Sequence, residues 1–269
     1  MTLNTDALRW LMRTTTLALG LTLLAGCAID KGTALAADFE EDWADAPDVA
    51  EIDTHGDNTL PFAGSATGTL ILEDGASTDR VAELANELGE YIADHDEVTG
   101  EISADGITFA VAPDSGRTGD VVALWESLAA DDRVASGLIG NGYRNEDDWN
   151  VEIVAVDAAS ALALFKDMAA DADLYRPFSS AVTYLLVNTR QDTRPSLRVE
   201  TGQDGNVPAA AIAAYEAVAA EYSVVSAGLA PDRAGIVVAA GTDLDQAGEL
   251  ARSVSPNLAN IEVTSDSGT

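Results

Sequence analysis

The sequence predicts an α+β fold: tandem ferredoxin-like repeats of β-α-β-β-α-β order, each an antiparallel sheet with its helices on one face. Three observations carry this expectation. After residue 48 the chain alternates amphipathic helical stretches with short strand-like runs. The segments "FEEDWADAPDVAEI", "VALWESLAADDRVASGLI" and "IAAYEAVAAEYSVVSAGL" align as helix, acidic break, valine and strand. Trp43, Trp125 and Tyr215 fall at equivalent places in them, 82 and 90 residues apart, which sets a period of about 80 residues. The repeats are placed at 38–103, 107–188 and 196–265, the first lacking its opening strand. One continuous mixed sheet built from the same elements is the alternative.

Taken in order, the first helix is expected around Phe39 to Ala46, after a short tether of small and polar residues. "TDRVAELANELGEYIADHD" puts Val81, Leu84, Leu88 and Tyr91 on one helical face. "GDVVALWESLAADD" does the same with Val121, Leu124, Trp125 and Leu128. "DAASALALFKDMAADAD" aligns Leu162, Phe165, Met168 and Ala172. "VPAAAIAAYEAVAAEY" opens with Pro208 in its first turn and aligns Ile212, Tyr215, Ala219 and Tyr222. "TDLDQAGELARSVSP" begins at a Thr or Asp cap and stops before Pro256.

Strands are expected near 48–54, 67–73, 98–103, 107–112, 134–140, 150–156, 182–188, 196–201, 223–230, 234–240 and 258–264. "SADG" at 103–106 and "APDR" at 230–233 read as hairpin turns. "TYLLV" and "GIVVAA" are apolar on both faces. Either the repeats pack their open faces together, or a partner covers them.

Hydrophobic residues make up 47% of the chain, enough for a core. Against 46 Asp and Glu there are only 14 Lys and Arg, a net charge of −32. Such a surface repels phosphate backbones, so nucleic acid is not expected as a partner.

Catalytic motifs are absent from the sequence: no GxSxG, HExxH, Walker loop or CxxC occurs. His55 and His95 are the two histidines. "DTHGDN" at 53–58 reads as a turn, and His95 as a residue at a helix end. "PDSGRTGD" at 113–120 reads as a strand-to-helix loop, with an anion site at the helix start as the other reading. Asp94, Asp96 and Glu97, or Glu146, Asp147 and Asp148, would be the carboxylates of a calcium site, but a chain this acidic gathers such clusters by chance. No cofactor, metal or catalytic residue is therefore expected. "GNGYRNEDDWN" at 140–150 combines Tyr143, Arg144 and Trp149, an aromatic-plus-arginine composition suited to a binding loop.

The amino-terminal residues carry a different signal. "MTLNTDALRWLMR" is a modestly positive n-region and "TTTLALGLTLLAG" an uncharged stretch, too short to span about 30 Å of hydrocarbon. It ends in Leu24-Ala25-Gly26-Cys27, which holds the one cysteine of the chain. This segment resembles a bacterial lipoprotein signal peptide with its lipobox. The resemblance implies cleavage of residues 1–26, acylation of the Cys27 thiol, and a tether over 27–37. Two or more acyl chains would anchor the protein stably in the bilayer. The expected location is the extracytoplasmic face of the cell membrane.

The expected function is thus a membrane-anchored, non-catalytic binding or scaffold protein of the cell envelope. Its partners would be the bilayer, through acylated Cys27, and an envelope protein. A solute- or cation-binding envelope lipoprotein is the alternative.

Overall fold

The computed structural model describes residues 30–60, 63–141, 149–170 and 182–267. The elements run α1 (Lys31–Trp43), β1 (Val49–Leu60), β2 (Ala63–Leu72), α2 (Thr78–Asp94), β3 (Val98–Ala104), β4 (Ile107–Val111), α3 (Ser115–Ala129), β5 (Val134–Asn141) and β6 (Trp149–Ala155). They continue with α4 (Ala158–Ala170), β7 (Val182–Thr189), β8 (Ser196–Glu200), α5 (Ala209–Glu221), β9 (Val224–Ala230), β10 (Arg233–Val238), α6 (Leu244–Val254) and β11 (Asn260–Ser265). Mixed α+β architecture and each of the expected strands are present, most of them within two residues of the expected bounds.

The strand arrangement differs from the repeats expected. The eleven strands among the described residues lie in one sheet, in chain order from β1 to β11. Hairpin partners such as β3 and β4 are antiparallel, whereas strands joined through a helix, such as β2 and β3, are parallel neighbours. A split β-α-β unit leaves room for a strand between its parallel partners. Here Leu70 pairs directly with Ile102, and Thr108 with Leu138, so no strand intervenes. The described strands thus form the continuous mixed sheet, joined edge to edge through backbone hydrogen bonds.

Helix caps and turns follow local chemistry. Ser77, Asp114, Asp157 and Asp243 each accept a hydrogen bond from the backbone N–H three residues on, at 3.3, 2.8, 2.7 and 3.1 Å. Asp105 and Gly106 both have positive φ, 51° and 77°, as a tight two-residue hairpin between β3 and β4 requires.

One face of the sheet carries the core. Leu70, Ile102, Ile107, Phe109, Ile139, Val151, Ile153, Val187, Val199, Ile236 and Val238 are buried beneath the helices. The indole of Trp125 donates from Nε1 to Ala104 O at 3.1 Å, and its ring lies 6.1 Å from that of Phe109. α2 packs on the same face, since a Cβ on Gly100 would meet Leu88 at 2.8 Å. The strand order advances steadily while strand direction reverses at each hairpin. With α2 and α3 on one face, their two crossovers must therefore have opposite hands, and one of them departs from the usual right-handed rule.

Two further expectations are corrected at the amino-terminal edge. "DTHGDN" is not a turn: Asp53 to Asn58 belong to β1, paired with β2. Nor are residues up to 37 wholly a tether, because α1 begins at Lys31. The glycines explain both. A Cβ on Gly32 would sit 2.4 Å from Asp57 O, one on Gly56 2.5 Å from Gly32 C, and one on Gly64 2.4 Å from Gly32 N. Gly56 serves this close approach of helix to hairpin rather than a chain reversal. Asn58 then accepts from Gly32 N at 2.8 Å and donates to Thr33 Oγ1 at 3.0 Å.

Candidate functional site

Of the residues singled out by the sequence, Cys27, Tyr143 and Arg144 lie outside the described residues, as do Glu146, Asp147 and Asp148. Trp149 is the first residue of β6 and is buried, 7% exposed. The guanidinium of Arg117 sits over its ring, 4.9 Å from the centroid. A cationic group at that distance is attracted to the negative face of the indole.

The position of Arg117 is set by the turn before α3. Asp114 caps the helix by accepting from Arg117 N, and Thr118 Oγ1 donates to Ala112 O at 2.8 Å while accepting from Ala112 N at 3.2 Å. Residues 113–120 therefore form a capped strand-to-helix connection. The carboxylate of Asp114 already occupies the helix start where an anion would bind.

Arg117 borders a trough of about 800 Å³ at the sheet end where β3 and β6 begin and β4 and β5 finish. Gly140 and Asn150, the first and last residues of the aromatic stretch read from the sequence, both line it. Glu101, Leu138 and Glu152 reach it from the open face of the sheet, and Asp96 and Asp114 from the helix ends. The volume suits a small organic ligand or a few side chains of a partner. Its polar wall is mainly carboxylate, with Arg117 as the cation and Leu138 as an apolar floor. Among the described residues no three of His, Cys, Asp and Glu converge as metal ligands would.

Farther along the open face, Glu200 gathers three partners that the sequence reading missed. Tyr184 Oη donates to Glu200 Oε2 at 2.7 Å, Arg198 Nη2 to the same oxygen at 2.7 Å, and Arg233 Nη2 to Oε1 at 3.3 Å. Burial pushes the Glu200 carboxyl up, but these donors and the charges of Arg198 and Arg233 prevail and hold it below its ordinary range. The Tyr184 phenol is pushed up to about 12 by burial, by its hydrogen bond to Glu200 and by that carboxylate's charge. The signal available in the sequence was the period-two alternation, which puts Tyr184, Arg198 and Glu200 on outward positions of their strands.

The histidines have structural surroundings. His95 caps α2, its Nδ1 lies 2.7 Å from Tyr91 O, and its ring stacks on Tyr91 at 4.1 Å. His55 is exposed on β1 with Nε2 3.5 Å from Asp57. Glu97, from one of the acidic clusters, holds Lys31 in an ion pair. No protein-family profile, curated protein or solved structure matches the chain.

Proposed function

We propose that this chain is a lipid-anchored, extracytoplasmic protein of the cell membrane that binds a partner without catalysis, using the trough beside Trp149. The observation that carries the reading is Arg117, which lines that trough and holds its guanidinium over the ring of Trp149. A desolvated aromatic next to an arginine is the composition of an interface anchor. The Leu24-Ala25-Gly26-Cys27 segment supports the anchor, and the absence of catalytic motifs from the sequence supports a binding role. The recurring element order supports an internal repeat. Cut as β-α-β-β-α-β, it follows the ferredoxin-like sequence of elements, with the strands rearranged into one sheet.

A second reading, a solute- or cation-binding envelope lipoprotein, is favoured by the carboxylates of Asp96, Glu101, Asp114 and Glu152 around the same trough.

The test compares the wild type with Cys27→Ala and Arg117→Ala by membrane fractionation and crosslinking mass spectrometry on intact cells. An anchored binding protein leaves the membrane fraction in Cys27→Ala, and in Arg117→Ala it stays there but loses a specific crosslinked partner. Retention of Cys27→Ala in the membrane would overturn the anchor. Turnover of a substrate by purified residues 28–269 would overturn the non-catalytic role. Calorimetric titration with solutes and cations separates the second reading from the first.

A further inference from the structure

On the helical layer, α1 and α2 lie side by side and hold three aromatic rings between them. Phe39 and Trp43 each meet Tyr91 edge to face, with centroids 5.5 and 5.9 Å apart. Around them Asp42, Glu87, Glu90, Asp94 and His95 rim a hollow of about 390 Å³ that shares no residue with the trough beside Trp149. Two features of the hollow are not accounted for by helix packing.

The first is Trp43 in its wall. The residue is 8% exposed, and its indole N–H is shielded from solvent with no acceptor among the described residues. Trp125, at the equivalent place in its own unit, donates to Ala104 O. A buried donor left without an acceptor is costly, so Trp43 gains when an acceptor reaches it. The second is charge. Glu87, Glu90 and Asp94 recur at helical spacing along α2, and Asp42 faces them from α1. Arg80 lies 3.9 Å from Glu87 but is already engaged by Asp48 and Glu83. Tyr91 donates to Asp42 at 3.1 Å, leaving Glu90 and Asp94 without an ion-pair partner among the described residues.

We propose that this hollow is a binding site for an organic cation bearing a hydrogen-bond acceptor beside its charge, as an arginine residue of a peptide does. The guanidinium sits among the carboxylates and against the rings of Trp43 and Tyr91, and a neighbouring carbonyl accepts the Trp43 N–H. Cation–π attraction and charge-assisted hydrogen bonds act together there. Because the N–H is covered, binding moves a rim side chain, and the Trp43 indole resonance reports that movement. The site stands apart from the reading of the trough and survives or fails without it.

The test is a proton–nitrogen NMR titration of the soluble protein, residues 28–269, with N-acetyl-arginine methylamide as the probe. Trp43→Phe, which keeps an aromatic ring, identifies the Trp43 indole signal. Tetramethylammonium supplies the cation without an acceptor, and N-acetyl-alanine methylamide the acceptor without a cation. A saturable downfield shift of the Trp43 N–H with the arginine probe is expected, with weaker binding of both controls. Neutralising Glu90→Gln and Asp94→Asn together should weaken the probe about tenfold, as loss of two charge-assisted contacts implies. A Trp43 signal that stays put overturns the proposal. So does a response equal for all three probes, or affinity unchanged in the neutralised variant, since either reports only general attraction to an acidic protein.

Discussion

The ring of Phe39 occupies the place above Gly68 where a side chain would otherwise stand: a Cβ there would lie 2.4 Å from two of its carbons. This contact seats α1 on β2, and it depends on glycine at one end and a flat ring at the other. Gly68→Ala should therefore cost about 1–3 kcal/mol through overpacking. Pairing it with Phe39→Leu should recover part of that loss, because the two positions share one space. Urea unfolding of the two single variants and the double variant checks this. Strictly additive losses would mean that Phe39 and Gly68 are not coupled.

Arg117 and Trp149 form the second testable pair. Arg117→Ala removes the cation above the indole and the apolar stem beneath the guanidinium, at a cost of about 0.5–2 kcal/mol. Arg117→Lys keeps the charge but loses the planar group, so it should recover only part of the stability. The capping bond from the Arg117 backbone to Asp114 is untouched in both variants. Denaturation followed by tryptophan fluorescence measures both effects, and equal stability of the three proteins would remove the ring contact from the argument.

The legibility of the sequence varied by element for physical reasons. Strands were readable because alternation and β-branched residues stand out against acidic helices. The face of α3 was readable because Val121, Leu124, Trp125 and Leu128 are large, and all four are buried. The phase of α5 was not. Ala211, Ile212, Ala214 and Val218 are its buried residues, while Tyr215 is only partly covered and Ala219 is exposed. A helix made mostly of alanine offers little contrast between faces, so the tyrosines misled the alignment. Sheet order was not legible either, since element order is the same whether parallel partners are adjacent or split. The trough was half visible through Gly140 and Asn150, but Arg117 lies 32 residues before Trp149 in "PDSGRTGD" and meets it only through the β4–β5 and β5–β6 pairings. Glu200 could be placed on an outward face, yet its three donors come from β7, β8 and β10.

The Glu200 cluster should make stability depend on acid. An unfolded glutamate takes up its proton near 4.5, and the folded one does so at lower pH. The cluster's stabilisation is therefore complete above 4.5 and drains away as pH falls through the folded value. Glu200→Gln should cost on the order of 1 kcal/mol at neutral pH, a modest figure because Arg198 and Arg233 are substantially solvated. The difference between wild type and variant should shrink on acidification. A difference that is constant with pH would show that the ionised carboxylate is not what the arginines and Tyr184 respond to.

At the alkaline end the same reasoning applies to two phenols with the sign reversed. Tyr184 and Tyr91 are both pushed up from 10.0 to about 12, each by burial first and then by a hydrogen-bonded carboxylate, Glu200 and Asp42 respectively. Folding favours the protonated phenol at each site. The resulting stabilisation is fully present below 10.0 and is lost as pH rises toward about 12. The chain has six tyrosines, so phenolate absorbance should rise in at least two stages rather than one. Tyr184→Phe and Tyr91→Phe should each remove one equivalent from the late stage only. Glu200→Gln should shift one late equivalent back toward 10, since it deletes the charge that opposes the Tyr184 phenolate. If Tyr184→Phe instead diminishes the early stage, the phenol is not held against Glu200 in solution, and the acid-side prediction falls with it.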